Sequence, residues 1–284
     1  MPNPNAAKRK LCLIGKPIAQ SLSPAMHNAA CATLGIDAEY GLLEVGPEGL
    51  AGAVATIRQD NYLGANVTIP HKEAVIPLLD EISPLAERSG AVNTIVKRGM
   101  ILRGENTDGG GFLWPLRLGG AQLDQWRVTM LGAGGAARGV AVALLDAGVT
   151  QLTVINRTVE RAAALVAALD DARADIMALD DPWVGGALAA SDLVINAVPT
   201  GRRPDATLPI SAELLARLPD HALVYDLAYR QTALLDAAVA RGLATLDGLP
   251  MLVEQGALAL QFWTGVEAPR EIMWAAALAK RDEQ

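Results

Sequence analysis

The sequence predicts an α/β protein of two domains, each built around a mainly parallel sheet. Short apolar runs of strand type alternate with helical stretches through the first half of the chain. A second series of the same kind begins near Trp126. Strands that are separated by helices need crossover connections, which place neighbouring strands parallel. The chain has 284 residues, 51% of them hydrophobic, so it can bury the cores of two domains.

The first series contains four predicted strands and one clear helix start. The strands are Lys10–Ile14, Glu39–Val45, Gly64–Ile69 and Thr94–Val96. A helix is predicted to open at Ser23, with the Ser23 hydroxyl as N-cap and Pro24 at the first helical position. Hydroxyl side chains suit that place because they accept hydrogen bonds from N–H groups that the helix leaves unpaired.

The second series starts with a buried strand, Arg127–Leu131, that runs directly into a glycine-rich turn and an alanine-rich helix. Its further strands are Leu152–Ile155, Leu193–Ala197, Leu223–Asp226 and Ala244–Leu246. The closing segments Met251–Trp263 and Arg270–Lys280 are helical in pattern, and we expect them to pack on the first domain. The predicted domains therefore comprise residues 1–113 with 249–284, and residues 114–248.

Composition argues against several kinds of partner. The formal net charge of -7 gives no general attraction to nucleic acid, and the only basic cluster is Lys8–Lys10. The apolar run that follows, Leu11–Ile14, is too short for a signal peptide or a membrane span, so a cytoplasmic protein is expected. Two cysteines without CxxC spacing and three widely separated histidines predict no disulfide framework and no bound metal. We expect a monomer or a homodimer.

A glycine-rich turn follows the strand Arg127–Leu131. Gly132, Gly134 and Ala137 fill the three small-residue positions of a G-x-G-x-x-A turn, in which the backbone bends tightly and can approach a pyrophosphate. The helix that follows would direct unpaired N–H groups and its positive dipole end at the phosphates. The position of the turn between a strand and a helix favours a Rossmann-like dinucleotide-binding domain over a tight turn without a ligand.

The residues roughly twenty positions further on indicate which dinucleotide is bound. NAD sites place a carboxylate there for the ribose 2′-hydroxyl, whereas this chain has Asn156, Arg157 and Thr158, with Arg161 one turn later. A guanidinium can pair with a 2′-phosphate through two hydrogen bonds. We therefore predict NADP as the cofactor, the alternative being that Arg157 is a solvated surface residue.

Polar segments of the first domain mark a second candidate site. They are Ser21–Pro24, Asn66–Lys72, Gly104–Asp108 and, adding an amide, Gly90–Thr94. The first three lie at or after the carboxyl end of a predicted strand, where open parallel sheets collect ligand groups. On the residues alone, Lys72 and Asp108 are as compatible with an ordinary salt bridge as with an acid–base pair.

Taken in order, these segments and the glycine turn resemble the shikimate dehydrogenase family over nearly the whole chain. The resemblance implies a two-domain α/β enzyme whose active site lies in the cleft between an N-terminal substrate-binding domain and an NADP-binding domain. It also implies the reversible reduction of 3-dehydroshikimate to shikimate by hydride transfer from NADPH, in the chorismate pathway to the aromatic amino acids.

The resemblance assigns roles to particular residues of this chain. Lys72 would be the catalytic lysine, and Asp108 would orient it and contact the substrate. The implied substrate contacts are Ser21, Ser23, Thr68, Asn93, Asp108, Tyr229 and Gln255. The implied cofactor contacts are Gly132, Ala133, Gly134, Gly135, Ala136, Asn156, Arg157, Thr158, Arg161, Leu227 and Gly248.

One segment departs from the family pattern. The family usually continues the tyrosine with an Asn-Pro stretch and then Thr-Pro, whereas Tyr229–Ala233 is shorter and has neither proline. A quinate/shikimate or aminoshikimate dehydrogenase shares every residue named above, so it stays open as an alternative. A more distant alternative is an NADP-binding regulator without catalysis, which has no use for a proton donor in a polyol pocket.

Overall fold

The computed structural model describes residues 8–198 and 208–284, and the chain divides into two compact units. One unit comprises Met1–Gly111 with Val253–Gln284, and the other comprises Phe112–Leu252. Each unit contains a six-stranded sheet with helices between its strands. The predicted class, a two-domain α/β protein with mainly parallel sheets, is confirmed.

The strands of the two sheets are short, between two and seven residues long. In the first unit they are β1 (Arg9–Gly15), β2 (Ala38–Glu44), β3 (Tyr62–Val67), β4 (Glu81–Ile82), β5 (Thr94–Arg98) and β6 (Ile101–Glu105). In the second unit they are β7 (Arg127–Leu131), β8 (Gln151–Asn156), β9 (Ala174–Ala178), β10 (Leu193–Asn196), β11 (Leu223–Asp226) and β12 (Ala244–Leu246).

The helices connect these strands and close the chain. In order they are α1 (Ser23–Thr33), α2 (Leu50–Ile57), α3 (Pro84–Ser89), α4 (Asp108–Leu118), α5 (Gly135–Asp146), α6 (Val159–Leu169), α7 (Val184–Ala189), α8 (Ala212–Leu215), α9 (Ala233–Ala240), α10 (Leu249–Thr264) and α11 (Arg270–Asp282). Single 3₁₀ turns occur at Pro47–Gly49, Ile76–Leu78 and Leu123–Gln125. The chain passes from one unit to the other inside α4 and again inside α10, and α11 packs against α1.

The sheet of the first unit has the strand order β2-β1-β3-β5-β6-β4. Strands β2, β1 and β3 are parallel, whereas β5 runs antiparallel to both β3 and β6. The sequence analysis does not predict β4 and β6. β4 has only two residues, and β6 carries Arg103 and Glu105 among few apolar side chains, so neither produces a clear apolar run.

The core of the first unit packs without room for an added methyl group at Gly64 on β3. A Cβ built there would lie 2.2 Å from the Ile95 carbonyl oxygen and 2.5 Å from Nε1 of Trp263. That indole nitrogen donates a hydrogen bond to the same carbonyl oxygen at 2.9 Å, so the close approach is part of the packing of α10 on the sheet. Glycine is required at this position because every other residue carries a Cβ.

The sheet of the second unit is parallel throughout, with the order β12-β11-β10-β7-β8-β9. β7 lies in its middle and leads into α5, most of whose residues are buried. β9 is absent from the sequence prediction because it is an edge strand, and its residues are at most half-buried. The parallel strands place the ends of β7, β8, β10 and β11 at one edge of the sheet.

Candidate active site

Three segments of the first unit meet at one edge of its sheet. β3 and β6 end at this edge, and β5, which is antiparallel to both, begins there, so the three strand ends lie side by side. The loop after β3 carries Lys72, the residue before β5 is Asn93, and α4 begins at Asp108 shortly after β6. The topology therefore brings together side chains that are up to 36 residues apart in the sequence.

Lys72 and Asp108 form an ion pair in this place. Lys72 Nζ lies 2.5 Å from Asp108 Oδ2, and the exposed fractions of the two side chains are 13% and 4%. Burial removes the solvent screening that makes surface pairs weak, so each charge depends on the other. The loop is also fixed behind the amine, since the Lys72 carbonyl oxygen accepts a hydrogen bond from Val92 N at 2.8 Å. The arrangement holds an ammonium group at a partly open position, from which it can donate a proton.

Asn93 holds the other carboxylate oxygen of the pair. Its Nδ2 donates to Asp108 Oδ1 at 2.8 Å, to Thr107 Oγ1 at 2.9 Å and to Gln255 Oε1 at 3.3 Å. Its Oδ1 accepts a hydrogen bond from Thr107 N at 2.8 Å. The structure thus brings four of the predicted site residues, Lys72, Asp108, Asn93 and Gln255, into one hydrogen-bonded group, the Lys72 cluster.

Asn106 supports the cluster through the backbone. Its Oδ1 accepts a hydrogen bond from Asp108 N at 3.0 Å, which forms a short turn of the kind that asparagine side chains favour. Its Nδ2 donates to the carbonyl oxygen of Ala91 at 2.9 Å. Asn106 therefore fixes where α4 begins and points no polar group at a ligand.

Ser21 and Ser23 form a separate pair at the start of α1. Their hydroxyl oxygens lie 3.2 Å apart, and Ser21 Oγ accepts a hydrogen bond from Ser23 N, also at 3.2 Å. The prediction that Ser23 is the N-cap is wrong. Leu22 occupies that position without a side-chain hydrogen bond, Ser23 is the first helical residue, and Pro24 follows it. The fixed φ of proline suits either of the first two helical positions, so Pro24 alone does not set the helix start.

The remaining predicted substrate contacts lie apart from these two groups. Thr68 follows the end of β3, where its backbone N–H donates to the carbonyl oxygen of Ile14 at 2.9 Å. Within residues 8–198 and 208–284, no hydrogen bond joins the Thr68 side chain to the serine pair or to the Lys72 cluster. Tyr229 belongs to the second unit, where the guanidinium of Arg230 lies 5.9 Å from the centre of its ring.

Three buried residues lie inside the predicted polar segments but receive no individual role in the sequence analysis. Thr94 and Thr107 both donate hydrogen bonds to Asn93 Oδ1, at 3.1 and 3.2 Å. Asn66, which belongs to a predicted polar segment, lies within β3 and is buried. Short hydroxyl and amide side chains near strand ends usually satisfy neighbouring backbone groups, so no signal in the sequence distinguishes these residues.

The glycine turn of the second unit lies between β7 and α5, as predicted. Gly132 has φ +106°, and a Cβ there would lie 3.1 Å from the carbonyl carbon of Ala197. Among residues 8–198 and 208–284, no neighbouring atom lies within 4 Å of a Cβ built on Gly134, and no side chain caps α5. The first N–H groups of α5 therefore have no side-chain partner among these residues and suit a phosphate. Ala137 is fully buried, as close packing of the helix on the sheet demands.

The end of β8 lies beside the end of β7 and carries the predicted 2′-phosphate site. Asn156 ends the strand, and its Nδ2 donates to the carbonyl oxygen of Thr158 at 2.7 Å. Arg157, Thr158 and Arg161 are all exposed. Two exposed guanidinium groups beside a strand end that has no carboxylate fit a doubly charged phosphate.

Leu227 and Gly248 are adjacent in the second unit. A Cβ on Gly248 would lie 2.1 Å from the carbonyl oxygen of Leu227, so no other residue fits there without movement. Asp226, which the sequence analysis does not single out, anchors this loop: its fully buried carboxylate accepts hydrogen bonds from Asn196 Nδ2, Ala228 N and Thr232 Oγ1. Burial raises the pKa of Asp226, and these three hydrogen bonds act against that rise.

The part of the chain that the structure describes shows neither a membrane span nor a metal site. None of the helices in residues 8–198 and 208–284 combines the length and the apolar composition that a membrane span requires. The same residues contain no group of three or more His, Cys, Asp or Glu side chains placed to hold a metal ion.

The fold and these groups of residues are those of a two-domain α/β dehydrogenase. Three family descriptions match in order along the chain: "Shikimate dehydrogenase substrate binding domain" at residues 13–95, "Shikimate / quinate 5-dehydrogenase" at residues 117–228, and "Shikimate 5'-dehydrogenase C-terminal domain" at residues 248–278.

Individual relatives agree with these matches. The shikimate dehydrogenase (NADP(+)) of Symbiobacterium thermophilum is 48% identical over 282 residues, which cover 97% of this chain and 96% of the relative. The crystal structure of shikimate 5-dehydrogenase from Thermus thermophilus, in complex with NADP(H) and shikimate, has a TM-score of 0.84 at 39% identity and covers 96% and 99% of the two chains. Quinate dehydrogenase from Corynebacterium glutamicum, in complex with NAD, gives 0.85 at 32% identity with the same coverage. The chain belongs to the shikimate dehydrogenase family, which confirms the resemblance seen in its sequence.

Proposed function

We propose that this protein is an NADP-dependent shikimate dehydrogenase that reversibly reduces the ring ketone of 3-dehydroshikimate to shikimate, in the pathway to chorismate and the aromatic amino acids. The observation that carries the proposal is the buried Lys72–Asp108 pair, 2.5 Å apart and held by Asn93. The relative from Symbiobacterium thermophilum, whose name gives this activity and cofactor, supports it.

Reduction of a ketone by hydride leaves an alkoxide, which must receive a proton. Bound NADPH would supply the hydride to the ring carbon. The Lys72 ammonium polarises the carbonyl and then donates its proton to the oxygen, so that one hydride and one proton convert C=O to CH–OH. In the reverse direction the neutral Lys72 amine accepts the hydroxyl proton.

The other residues of the first unit bind and orient the substrate. Asp108 holds Lys72 in place. Asp108 would also accept a hydrogen bond from a ring hydroxyl, and the amides of Asn93 and Gln255, which are hydrogen-bonded to each other, are further proposed contacts. The hydroxyls of Ser21 and Ser23 bind the substrate carboxylate, which the positive end of the α1 dipole also favours. Thr68 and Tyr229 complete the proposed contacts.

The second unit would hold the cofactor. Backbone N–H groups of Gly132, Ala133, Gly134, Gly135 and Ala136 would bind the pyrophosphate. Arg157 would pair with the 2′-phosphate, assisted by Asn156, Thr158 and Arg161. Leu227 and Gly248 would lie at the nicotinamide end. With these roles, residues 1–113 with 249–284 form the substrate domain and residues 114–248 the NADP domain. We also propose a cytoplasmic monomer or homodimer without a nucleic-acid or membrane partner.

The test follows nucleotide absorbance with shikimate or quinate and with NADP or NAD, for wild type and Lys72→Ala. We expect turnover of shikimate with NADP and a loss of at least roughly a hundredfold in the variant. Lys280→Ala is the control, because that lysine pairs with Glu283 on the surface. Preference for quinate or NAD would contradict the proposed substrate or cofactor. No turnover in any of the four combinations, with NADP still bound, would point to a binding protein instead.

A quinate/shikimate dehydrogenase is the second candidate. The segment Tyr229–Ala233, which lacks both family prolines, favours it because this loop carries a proposed substrate contact. In the structure Thr232 is the N-cap of α9: its side chain accepts a hydrogen bond from Leu235 N and donates one to Asp226. The ratio of kcat/KM values for quinate and shikimate separates the two candidates.

A further inference from the structure

We infer that Tyr40 is a positioning residue that joins the serine pair to the Lys72 cluster, so that the two ends of the substrate are bound at a fixed spacing. The inference rests on the proposed function, because it concerns the same substrate. Tyr40 lies on β2 and is almost fully buried. It is distant from both groups in the sequence, since Ser23 is 17 positions before it and Asn93 is 53 positions after it.

A continuous chain of hydrogen bonds runs from the Tyr40 phenol to the ion pair. Tyr40 Oη donates to Asn66 Oδ1 at 2.8 Å, and Asn66 Nδ2 donates to Thr94 Oγ1 at 3.1 Å. Thr94 Oγ1 donates to Asn93 Oδ1 at 3.1 Å, and Asn93 Nδ2 donates to Asp108 Oδ1 at 2.8 Å. Amide groups do not release protons, so the chain fixes orientations and does not conduct protons.

The direction of the first hydrogen bond follows from the other partners of Asn66. Asn66 Nδ2 also donates to the carbonyl oxygen of Asn93 at 3.2 Å, and that oxygen can only accept. Asn66 must therefore turn its own oxygen towards Tyr40, which makes the phenol the donor.

Tyr40 is also held to α1, the helix at whose start the serine pair lies. His27, one helical turn after Ser23 on α1, stacks on the Tyr40 ring with centroids 4.3 Å apart and planes 9° apart. The Asn28 side chain holds the Tyr40 backbone through two hydrogen bonds, of 2.8 and 3.0 Å. The start of α1 is thereby fixed to β2 through Tyr40.

Fixed spacing matters because the substrate is a rigid ring with a carboxylate at one end and the reacting carbonyl with its hydroxyl neighbours at the other. If the serine pair moves relative to the Lys72 cluster, the carboxylate can be held only by shifting the carbonyl away from the Lys72 amine. Misplacement of a reacting group by a fraction of an ångström is enough to slow a reaction.

The first test replaces Tyr40 by phenylalanine, which removes one oxygen and keeps the ring that stacks on His27. For Tyr40→Phe we expect a higher KM for shikimate, a lower kcat, and a loss of about tenfold or more in kcat/KM, the worth of one hydrogen bond to a buried group. The KM for NADP should stay within about twofold, because the cofactor residues lie in the other unit. Tyr62→Phe is the matched control, since Tyr62 lies on β3 of the same sheet and takes no part in the series of hydrogen bonds. Unchanged shikimate kinetics in Tyr40→Phe would overturn the inference.

A double-mutant cycle separates coupling from general damage. If Tyr40 acts by positioning the serine pair at the start of α1, the variant carrying both Tyr40→Phe and Ser23→Ala loses clearly less activity than the product of the two single losses. For Tyr62→Phe combined with Ser23→Ala, the loss should equal the product of the two single losses. The same multiplicative result for Tyr40→Phe, or an equal rise in the KM values for shikimate and NADP, would show that Tyr40 only stabilises the fold.

A second variant tests the chain from its other end. Thr94→Val keeps the shape of the side chain and interrupts the chain between Asn66 and Asn93, so the same loss specific to shikimate is expected. Normal shikimate kinetics in Thr94→Val would overturn the inference even if Tyr40→Phe folds poorly. Wild-type protein without shikimate turnover would contradict the proposed function itself. Calorimetric binding of shikimate to wild type, weakened in Tyr40→Phe and not in Tyr62→Phe, gives a readout without catalysis.

Discussion

Replacement of Lys72 by alanine should affect catalysis and stability together, because the same amine donates the proton and neutralises a buried carboxylate. Asp108 has 4% of its side chain exposed and loses its only ionic partner within the described residues, but keeps the hydrogen bond from Asn93 at 2.8 Å. Removal of one member of a buried ion pair costs about 3–5 kcal/mol, and the remaining hydrogen bond favours a value of about 3 kcal/mol here. Loss of a general acid lowers the rate by roughly 10²–10⁴-fold.

Two assays measure these effects separately. At about 2–4 °C per kcal/mol for a chain of this size, thermal unfolding of Lys72→Ala should occur roughly 6–12 °C below wild type. Lys280→Ala, which breaks a pair whose side chains are 44% and 65% exposed, should change stability by less than about 1 kcal/mol. Adding Asp108→Asn to Lys72→Ala removes the unpaired charge and should restore part of the stability but none of the activity. Retention of more than a tenth of the wild-type kcat/KM by Lys72→Ala would refute the assignment of Lys72 as the proton donor.

Three further changes have defined outcomes. Arg157→Ala should raise the KM for NADP by about 10–100-fold, the worth of a charge-assisted hydrogen bond, and leave turnover with NAD unchanged; an equal effect on both cofactors would contradict a 2′-phosphate contact. Gly64→Ala should lower the free energy of unfolding by about 3 kcal/mol or more, because its methyl group would overlap the β5 backbone. Gly41→Ala should change it little, since no described neighbouring atom lies within 4 Å of the added Cβ, and denaturant unfolding compares the two variants. Burial lowers the pKa of His27 from 6.5 to about 3, so between these values the unfolded chain binds more protons than the folded one and stability falls as pH falls. Between pH 6.5 and 4.5 this difference in His27 protonation should lower the free energy of unfolding by about 2 kcal/mol, and His27→Phe should not show that loss. Equal losses of stability in wild type and His27→Phe would contradict the prediction.

Local sequence patterns were sufficient to predict a structural feature when residues of a single segment determine it. β7 has the predicted bounds, Arg127–Leu131, because a central strand covered on both faces appears as one apolar run. The turn at Gly132 follows from residues that are adjacent in the chain, and the absence of a carboxylate near Arg157 is visible without a structure. The family resemblance rests on segments of this kind, which explains why the comparisons confirm it.

Local sequence patterns did not predict features for which one segment offers several alternatives or for which the hydrophobic pattern is weak. At the start of α1, two serines and a proline lie within four residues, and only the structure shows that Ser21 accepts the hydrogen bond from Ser23 N while Leu22 is the N-cap. The edge strand β9 is only half-buried, and β6 is interrupted by charges, so hydrophobic periodicity is weak in both.

The sequence by itself determined the fold class, the glycine turn and the residue types available for binding NADP and for transferring a proton. Only the tertiary structure decided which polar side chains touch. Tyr40, Asn66 and Thr94 connect three strands that are distant in the sequence, and no sequence pattern indicates that these three side chains are hydrogen-bonded to one another. The physical reason is that a hydrogen bond requires a donor and an acceptor within about 3 Å at a favourable angle, a condition that the register of β3 with β5 satisfies and that sequence spacing does not contain.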